Sequence, residues 1–192
     1  MILNSILFVI TTFFINQLCF LLSPVALIII LGYSYTKRFT FLCHFVLGIG
    51  LSLSPIGAYL AVTESFDILP IYFSIIVLFW VAGFDIIYSL QDQEFDKEQT
   101  LHSIPVLIGT KNALNLSKTL HFLTFSALSI AGSFGEFGLY YWIGFGIFIA
   151  LLIYQHILVK DYDLSKINLA FFTTNGIGSV IFGAFVIFEI LF

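Results

Sequence analysis

Three carboxylates and a phenol share one face of a predicted helix near the middle of the chain. Asp85, Tyr88, Asp92 and Asp96 lie in the segment FDIIYSLQDQEFDKEQTLHSIPVLIGT, at offsets of 0, 3, 7 and 11 residues. Because successive residues of an α-helix are rotated by about 100°, the four side chains fall within roughly 80° of one another. A stripe of oxygen ligands of this kind could bind a cation.

The simplest alternative is that Asp92 and Asp96 are solvated charges in a loop. Two observations favour a functional role instead. Acidic residues at the C-terminal end of a helix face the negative pole of the helix dipole and are disfavoured unless a cation compensates them. Asp85 lies inside an apolar stretch between Phe84 and Ile86, where an ionised carboxylate is costly and indicates a functional site.

The ligand types favour Mg²⁺ as the cation, since no paired histidine or cysteine accompanies the carboxylates. Mg²⁺ typically takes one or two carboxylates, retains several waters and binds the phosphate groups of a substrate. We therefore expect a phosphorylated ligand here. Lys37, Arg38, Lys97 and Lys111 could complete its binding site, although basic residues beside a membrane span also serve topology and lipid headgroups.

The histidines and cysteines give weaker signals. His102 lies in the polar segment after the stripe and is a candidate to line the site. The others are interpreted as packed or interfacial, because no zinc-type spacing joins them. They are His44, His121, His156, Cys19 and Cys43.

The composition predicts a membrane protein. Of 192 residues, 60% are hydrophobic, 18% are aromatic and only 9% are charged, whereas a soluble domain has about 25% charged residues. This excludes a soluble fold, and the absence of alternating polar positions argues against an outer-membrane barrel. The formal net charge is -4 and the basic residues form no run, so nucleic acid is not expected as a partner.

Apolar stretches predict seven membrane-spanning helices, the first of them short, in one all-α domain. Each span must be helical, because backbone polar groups cannot stay unpaired in lipid. The glycine pairs Gly48/Gly50 and Gly176/Gly178 lie inside spans, where they indicate kinks or close helix contacts. The predicted spans are residues 1–15, 18–35, 40–62, 68–91, 118–134, 138–159 and 167–192.

All basic residues fall on one side of this seven-span path. By the positive-inside rule that side is cytoplasmic, and it also carries the one long polar connection, residues 92–117, where chemistry is expected. We therefore predict an integral protein of the bacterial inner membrane with a cytoplasmic active face. The basic residues are Lys37, Arg38, Lys97, Lys111, Lys118, Lys160 and Lys166.

At these residues the sequence resembles the UbiA-type intramembrane prenyltransferases. The family's second aspartate-rich motif is matched by the pattern D-x2-Y-x3-D-x3-D followed by S-x-P and G. Its positions here are Asp85, Tyr88, Asp92, Asp96, Ser103, Pro105 and Gly109. An upstream Y-x-x-x-K-R element is matched by Tyr33, Lys37 and Arg38. The resemblance covers essentially the whole chain.

The resemblance is strongest to the 4-hydroxybenzoate polyprenyltransferase branch, including enzymes assigned to menaquinone formation by the futalosine route. It implies a bundle of nine spans around a cavity open to lipid. Mg²⁺ between two aspartate-rich motifs would hold a polyprenyl diphosphate, whose polyprenyl group is transferred to an aromatic acceptor in quinone biosynthesis. The oligomeric state is left open.

The resemblance also assigns roles to residues of this chain. Asp92 and Asp96 match the metal-binding acids, and Asp85 and Tyr88 match the inner turn of the same catalytic motif. The candidates for contact with the diphosphate are Tyr33, Lys37, Arg38 and Lys97, and the loop after the motif is represented by Ser103 and Pro105.

The sequence departs from the family pattern before Asp85. The first motif, of the form N-D-x-x-D, has no match, and the upstream acids Glu64 and Asp67 fall on the opposite side of the predicted topology. A seven-span chain agrees with a nine-span family if an N-terminal part is absent. Residues 1–192 are thus interpreted as an N-terminally incomplete domain, with little or no activity expected of the chain alone.

Three other interpretations stay open at this point. Another branch of the same superfamily, such as haem O or chlorophyll synthase, has a similar second motif. A transporter or proton-relay protein could use Asp85 as its intramembrane ionisable group. A non-catalytic remnant or fragment would also fit. A prenyltransferase should bind Mg²⁺ and a prenyl diphosphate together, whereas a transporter should move solute or charge without either.

Overall fold

The regular structure of the described residues is entirely helical. The computed structural model describes residues 1–160 and 163–192; Asp161 and Tyr162, in the predicted break between the last two spans, lie outside the described residues. The helices are α1 (Ile2–Ile15), α2 (Gln17–Thr36), α3 (Cys43–Thr63), α4 (Ile68–Ser89), α5 (Gln93–Glu98), α6 (Ile104–Phe134), α7 (Leu139–Leu158) and α8 (Asn175–Leu191). All except α5 are long, so the predicted all-α bundle of about seven helices is confirmed.

Two shorter segments interrupt the regular α-helices. A 3₁₀ turn at Leu90–Asp92 joins α4 to α5, and a π-helical segment at Leu169–Thr174 leads into α8. The carbonyl of Ala170 in the π segment accepts hydrogen bonds from the buried Gln155 side chain, at 3.0 Å, and from the Thr174 hydroxyl. Such side-chain donors satisfy backbone groups where a helix inside a membrane is irregular.

Five helical segments of the described chain are long and apolar enough to cross a membrane, which takes about 20 residues. They are Gln17–Thr36, Cys43–Thr63, Ile68–Glu98, Leu139–Leu158 and Leu169–Leu191. Helix α1 is apolar but shorter. Helix α6 is longer but less apolar, because Lys118, His121 and several hydroxyl side chains interrupt it. Two of the seven predicted spans therefore differ from the rest, one in length and one in polarity.

Helix α4 is the central helix of the bundle. It packs against both α3 and α6, while α7 packs mainly against α8. Because lipid tails are as apolar as the side chains, helices in a membrane associate through close packing rather than by escaping water. The buried residues of α4 are mostly small or branched, as such packing requires. They are Ile76, Val81, Ala82, Gly83, Ile86, Ile87 and Ser89.

Helix α3 approaches the backbone of α4 closely at Gly48. A Cβ atom at this position would lie 2.7 Å from the Leu78 carbonyl oxygen of α4, which is too short for any real Cβ contact. At Gly50 the nearest atom would be a side-chain carbon at an ordinary 3.8 Å. A Cβ at Gly176 would meet nothing within 4 Å, and at Gly178 it would touch an aromatic ring at 3.4 Å. Of the predicted glycine pairs, Gly48 alone allows two backbones to touch.

Hydrogen bonds between distant segments bring the predicted basic side together at one end of the bundle. The His102 N–H donates to the Lys37 carbonyl at 2.7 Å, and the Gln91 amide donates to Asn168 Oδ1 at 3.1 Å. The segments that follow α2, α4 and α7 thus meet, as spans of alternating direction require. We call this end the basic end; it is formed by residues 37–42, 90–103 and 163–168.

The opposite end of the bundle is tied in the same way. Asn16 accepts from the Cys19 N–H and donates to the Leu60 carbonyl, both at 2.8 Å, and so links the start of α2 to the end of α3. The Glu189 carboxylate accepts from the Gly138 N–H at 2.6 Å. It caps the start of α7, where a negative charge is favourable.

The connection predicted over residues 92–117 is mostly helical instead. Helix α5 occupies its first part and α6 begins at Ile104 rather than at residue 118, so that residues 99–103 form the link. Hydropathy indicates burial in lipid and not helicity. The apolar start of α6 is short, and Lys111, Asn112 and Lys118 follow it, which is why residues 104–117 are predicted as connection. Gly109, with φ 77° and ψ 163°, interrupts the first turns of α6 in the left-handed region that favours glycine.

We expect Gly48→Ala to destabilise the bundle by about 1–3 kcal/mol, because the added methyl group forces α3 away from α4. The measurement is the unfolding temperature in detergent micelles. Gly57→Ala is the matched control, since a Cβ at this position of the same helix meets nothing within 4 Å. Equal unfolding temperatures for the two variants would contradict the close contact.

Candidate functional site

The helix that carries the aspartate stripe is not uniform. Asp85 and Tyr88 lie in α4, but the 3₁₀ turn at Leu90–Asp92 intervenes before α5, which carries Asp96. The side chain of Asp92 is 54% exposed, whereas that of Asp96 is fully buried. The structure thus differs from the single α-helical stripe that the spacing assumed, and the two outer carboxylates have different surroundings.

Lys37 joins these two outer carboxylates. Its Nζ lies 2.7 Å from Asp96 Oδ1 and 3.9 Å from Asp92 Oδ2. The contact with Asp96 is an ion pair rather than an aligned hydrogen bond, and Asp96 Oδ2 has no hydrogen-bond partner among the described residues. The lysine follows α2 directly, and its carbonyl accepts the His102 N–H, which fixes it beside α5.

Asp85 has a different partner, His44 of α3. The Asp85 Oδ2 atom lies 2.7 Å from His44 Nδ1, and the other ring nitrogen of His44 accepts the Ile104 N–H at 3.3 Å. The Asp85 side chain is 21% exposed and the His44 side chain 2%. The inner carboxylate of the stripe is therefore held by a buried imidazole rather than by a lysine.

The Ser103–Pro105 loop packs closely against the stripe. Ser103 is fully buried, and its hydroxyl makes no hydrogen bond with the described residues. The Pro105 carbonyl accepts from the Gln93 amide at 2.8 Å, and the Gln93 oxygen in turn accepts from the Thr110 hydroxyl at 2.8 Å. Gln93 thus fixes both sides of the Gly109 irregularity to α5.

Tyr88 begins a column of aromatic rings that runs from the stripe into the bundle. Its ring stacks on Phe171 of the π-helical segment, with centroids 4.1 Å apart. Phe171 meets Phe84 edge-on at 5.3 Å, and Phe84 meets Trp80 edge-on at 5.5 Å. π-helical segments are rare and often occur at functional sites. We call Trp80, Phe84, Tyr88 and Phe171 the aromatic column.

The other residues predicted to bind the diphosphate, Tyr33, Arg38 and Lys97, make no ion pair with a carboxylate of the described residues. The Arg38 guanidinium lies 5.7 Å from the centre of the Tyr35 ring. Tyr33 is 39% exposed on α2, and Lys97 is exposed on α5. Of the predicted diphosphate-binding residues, only Lys37 is paired with a carboxylate within residues 1–160 and 163–192.

Two further predictions concern Lys111 and His102. Lys111 is exposed on α6 and makes no ion pair with any described residue. His102 contributes its backbone, since its carbonyl accepts the Cys43 S–H at 3.7 Å and its side chain is exposed. Neither side chain belongs to the cluster around Asp96.

Sequence reasoning did not select His44 and Gln93 as site residues. A signal was available for His44, because it is a polar side chain inside an apolar span, as Asp85 is. No local pattern indicates Gln93, since its two partners, Pro105 and Thr110, are 12 and 17 residues farther along the chain.

The carboxylates of the site are possible ligands for a metal ion. No group of three His, Cys, Asp or Glu side chains that could hold a metal occurs within the described ranges. Asp92 and Asp96 provide two carboxylates, and one buried oxygen of Asp96 has no partner. This set fits Mg²⁺, which takes one or two carboxylates from a protein and the rest of its ligands from phosphate and water.

Comparison with known proteins gives relatives along nearly the whole chain. The chain is 29% identical over 169 residues to the 4-hydroxybenzoate octaprenyltransferase of Francisella tularensis subsp. mediasiatica (strain FSC147), covering 88% of this chain and 59% of that protein. It is also 29% identical over 184 residues to the 4-hydroxybenzoate octaprenyltransferase of Hahella chejuensis (strain KCTC 2396), covering 93% and 59%. The chain therefore spans 59% of the length of these curated relatives.

The fold is similar to a solved structure, and the sequence matches a protein family. The apo structure of a UbiA homolog from Aeropyrum pernix K1 superposes with a TM-score of 0.86 at 29% identity, over 97% of this chain and 70% of that chain. Residues 1–177 match the UbiA prenyltransferase family. Because the match and the superposition both extend along nearly all of the sequence, this protein belongs to the UbiA prenyltransferase family.

Proposed function

We propose that this protein acts in an integral-membrane enzyme that transfers a polyprenyl group from polyprenyl diphosphate to an aromatic acceptor of the 4-hydroxybenzoate type. The reaction would serve quinone biosynthesis, with menaquinone formation as the proposed branch and Mg²⁺ as the cofactor. The basic end would face the cytoplasm from the bacterial inner membrane. The family match and the 4-hydroxybenzoate octaprenyltransferase relatives support the reaction class.

The buried carboxylate of Asp96 is the observation that carries this proposal. An ionised carboxylate removed from water is costly unless charges and hydrogen bonds compensate it. Lys37 pairs with one of its oxygens, and the second has no partner among the described residues. A buried carboxylate with one unpartnered oxygen, beside the end of α2, is suited to bind a cation.

The residues around Asp96 would have different roles in binding a diphosphate. Asp92 and Asp96 would hold Mg²⁺, which when bound supplies Lewis-acid stabilisation of the charge on the departing diphosphate. Lys37 lies within reach of both carboxylates and is placed to bind a phosphate oxygen as a point charge. Arg38 and Lys97, at the same basic end, would add to the positive potential around the diphosphate.

The aromatic column would receive the reacting end of the polyprenyl chain. Tyr88 lies one helical turn beyond Asp85 towards the basic end, and Trp80 lies two turns from Tyr88 in the opposite direction. Ring faces stabilise a positive charge within about 6 Å of the ring centroid. As the allylic C–O bond ionises, its electron pair leaves with the diphosphate and the column faces the carbon that becomes positive. The acceptor ring then bonds to that carbon and loses a proton.

We expect Asp92→Asn and Asp96→Asn each to weaken the joint binding of Mg²⁺ and geranylgeranyl diphosphate by roughly tenfold or more, since each removes a charged ligand. The measurement is calorimetric titration of the chain in nanodiscs, with both ligands and with each alone. Glu94→Gln and Glu98→Gln are matched controls, because they neutralise exposed carboxylates of the same short helix.

Two results would contradict the proposed function. One is unchanged joint binding in both aspartate variants. The other is proton or solute movement by the chain in liposomes that needs neither Mg²⁺ nor a prenyl diphosphate, which would indicate a transporter that uses Asp85.

We expect Lys37→Met to lower the free energy of unfolding by about 1–3 kcal/mol, because it leaves the buried Asp96 carboxylate without its ion-pair partner. The double variant Lys37→Met/Asp96→Asn should recover part of the loss, since the charge is then absent. Lys166→Met, which removes an exposed lysine at the same end, is the control. Unfolding in detergent gives the values, and additive effects of the two substitutions would refute the pair.

A further inference from the structure

His44 is a buried imidazole with both ring nitrogens engaged. Nδ1 lies 2.7 Å from Asp85 Oδ2, and Nε2 lies 3.3 Å from the backbone nitrogen of Ile104. The ring belongs to α3, the carboxylate to α4 and the N–H to the start of α6. A single side chain thus connects three helices at the point where the stripe meets the Ser103–Pro105 loop.

The two hydrogen-bond partners of the His44 ring indicate where its proton lies. A backbone N–H can only donate, so the His44 Nε2 that accepts the Ile104 N–H carries no proton. The proton of a neutral imidazole then lies on Nδ1, which donates to the Asp85 carboxylate. An imidazolium would direct a second proton at the Ile104 N–H. The neutral Nδ1–H form beside an ionised Asp85 satisfies all three groups.

The start of α6 depends on this ring for a hydrogen bond. The first N–H groups of a helix have no partner within it and are usually satisfied by the side chain before the first turn. Ser103 holds that position but makes no capping bond, and Pro105 has no N–H. The Ile104 N–H is therefore satisfied by His44, from a different helix.

Neighbouring contacts extend the same connection towards Lys37. The Lys37 carbonyl accepts the His102 N–H at 2.7 Å, and the Cys43 S–H contacts the His102 carbonyl at 3.7 Å. Residues 37–44 thus hold residues 102–104 along their length. The His44 contact is the one of these that also reaches the stripe.

We infer that His44 is a positioning residue of the proposed prenyl-transfer site, which fixes the Asp85 carboxylate and the Ser103–Pro105 loop in one arrangement through its neutral Nδ1–H form. The hydrogen bonds of His44 are observed in the structure. Their role in prenyl transfer rests on the proposed function.

The test compares His44→Gln, His44→Leu and His121→Leu in the full chain in nanodiscs. A glutamine amide has an NH₂ group that donates and a carbonyl oxygen that accepts, and so can replace both contacts of the ring, whereas leucine replaces neither. His121 is the matched control, because it is also a buried histidine but contacts His156 and the Trp80 carbonyl instead. The readouts are amide hydrogen exchange of the loop peptide, residues 101–108, and joint binding of Mg²⁺ and geranylgeranyl diphosphate.

We expect His44→Leu to raise exchange in the loop peptide by roughly tenfold or more, the equivalent of one lost hydrogen bond, and to weaken joint binding. His44→Gln should restore most of both, and His121→Leu should leave loop exchange unchanged. Unaltered loop exchange in His44→Leu, or equal damage from glutamine and leucine, would overturn the assignment.

A second measurement uses the wild-type chain and does not depend on whether a variant folds. The ¹⁵N spectrum of the histidines, with the His44 signals assigned by difference from His44→Gln, should show the Nδ1–H form; the Nε2–H form would refute the assignment. Neither this spectrum nor the exchange experiment needs a ligand. If both agree with expectation while the wild type binds no prenyl diphosphate, the proposed function fails and the hydrogen-bond assignment stands.

Discussion

The organisation of the basic end depends on keeping one carboxylate out of water. Asp96 is fully buried, and the ammonium group of Lys37 lies 2.7 Å from it. A buried charge is tolerated only with a partner close by, so the turn after α2 and the short helix α5 have to meet. The backbone bond between His102 and Lys37 then brings in the loop before α6. The arrangement of three connections follows from the burial of a single charge.

Polar side chains help to determine which helices of this bundle pack against each other. In lipid, apolar surfaces give helices little reason to choose one partner over another, whereas a hydrogen bond or a close backbone contact does. Asn16 connects α2 with α3, His44 connects α3 with α4 and α6, and Glu189 connects α8 with α7. Gly48 adds the close contact of α3 with α4. Few groups thus define most of the neighbour relations.

The sequence was sufficient to predict the class of fold, because hydropathy reports directly on which segments can lie in lipid. It also placed Lys37 on the same side of the membrane as Asp92 and Asp96, since alternation of the spans puts their segments at the same end. It did not separate Lys37 from Arg38, because adjacent residues after a helix point in different directions and only the structure gives those directions. It missed the contact of His44 with Ile104, which joins positions far apart in the chain.

The limits of helix α6 show a second restriction of sequence reasoning. Hydropathy distinguishes lipid-facing from polar segments, but residues 110–118 of α6 carry several polar side chains and are nevertheless helical. Gln93, which fixes the first turns of α6 by bonds to the Pro105 carbonyl and the Thr110 hydroxyl, gives no local pattern. Such contacts depend on how the loop folds back, and in the structure this loop buries both Ser103 and Ile104.

The π-helical segment Leu169–Thr174 changes how the last helix must be interpreted on a helical wheel. A wheel drawn at a constant 3.6 residues per turn assumes that a side chain keeps its angular position relative to residues several turns away. The wider turns of the segment break that relation between Asn168, which bonds to Gln91, and Asn175, which bonds to Trp80. Sequence alignments of this helix should therefore be judged separately on each side of the segment, since one inserted or deleted residue there would rotate Phe171 away from Tyr88.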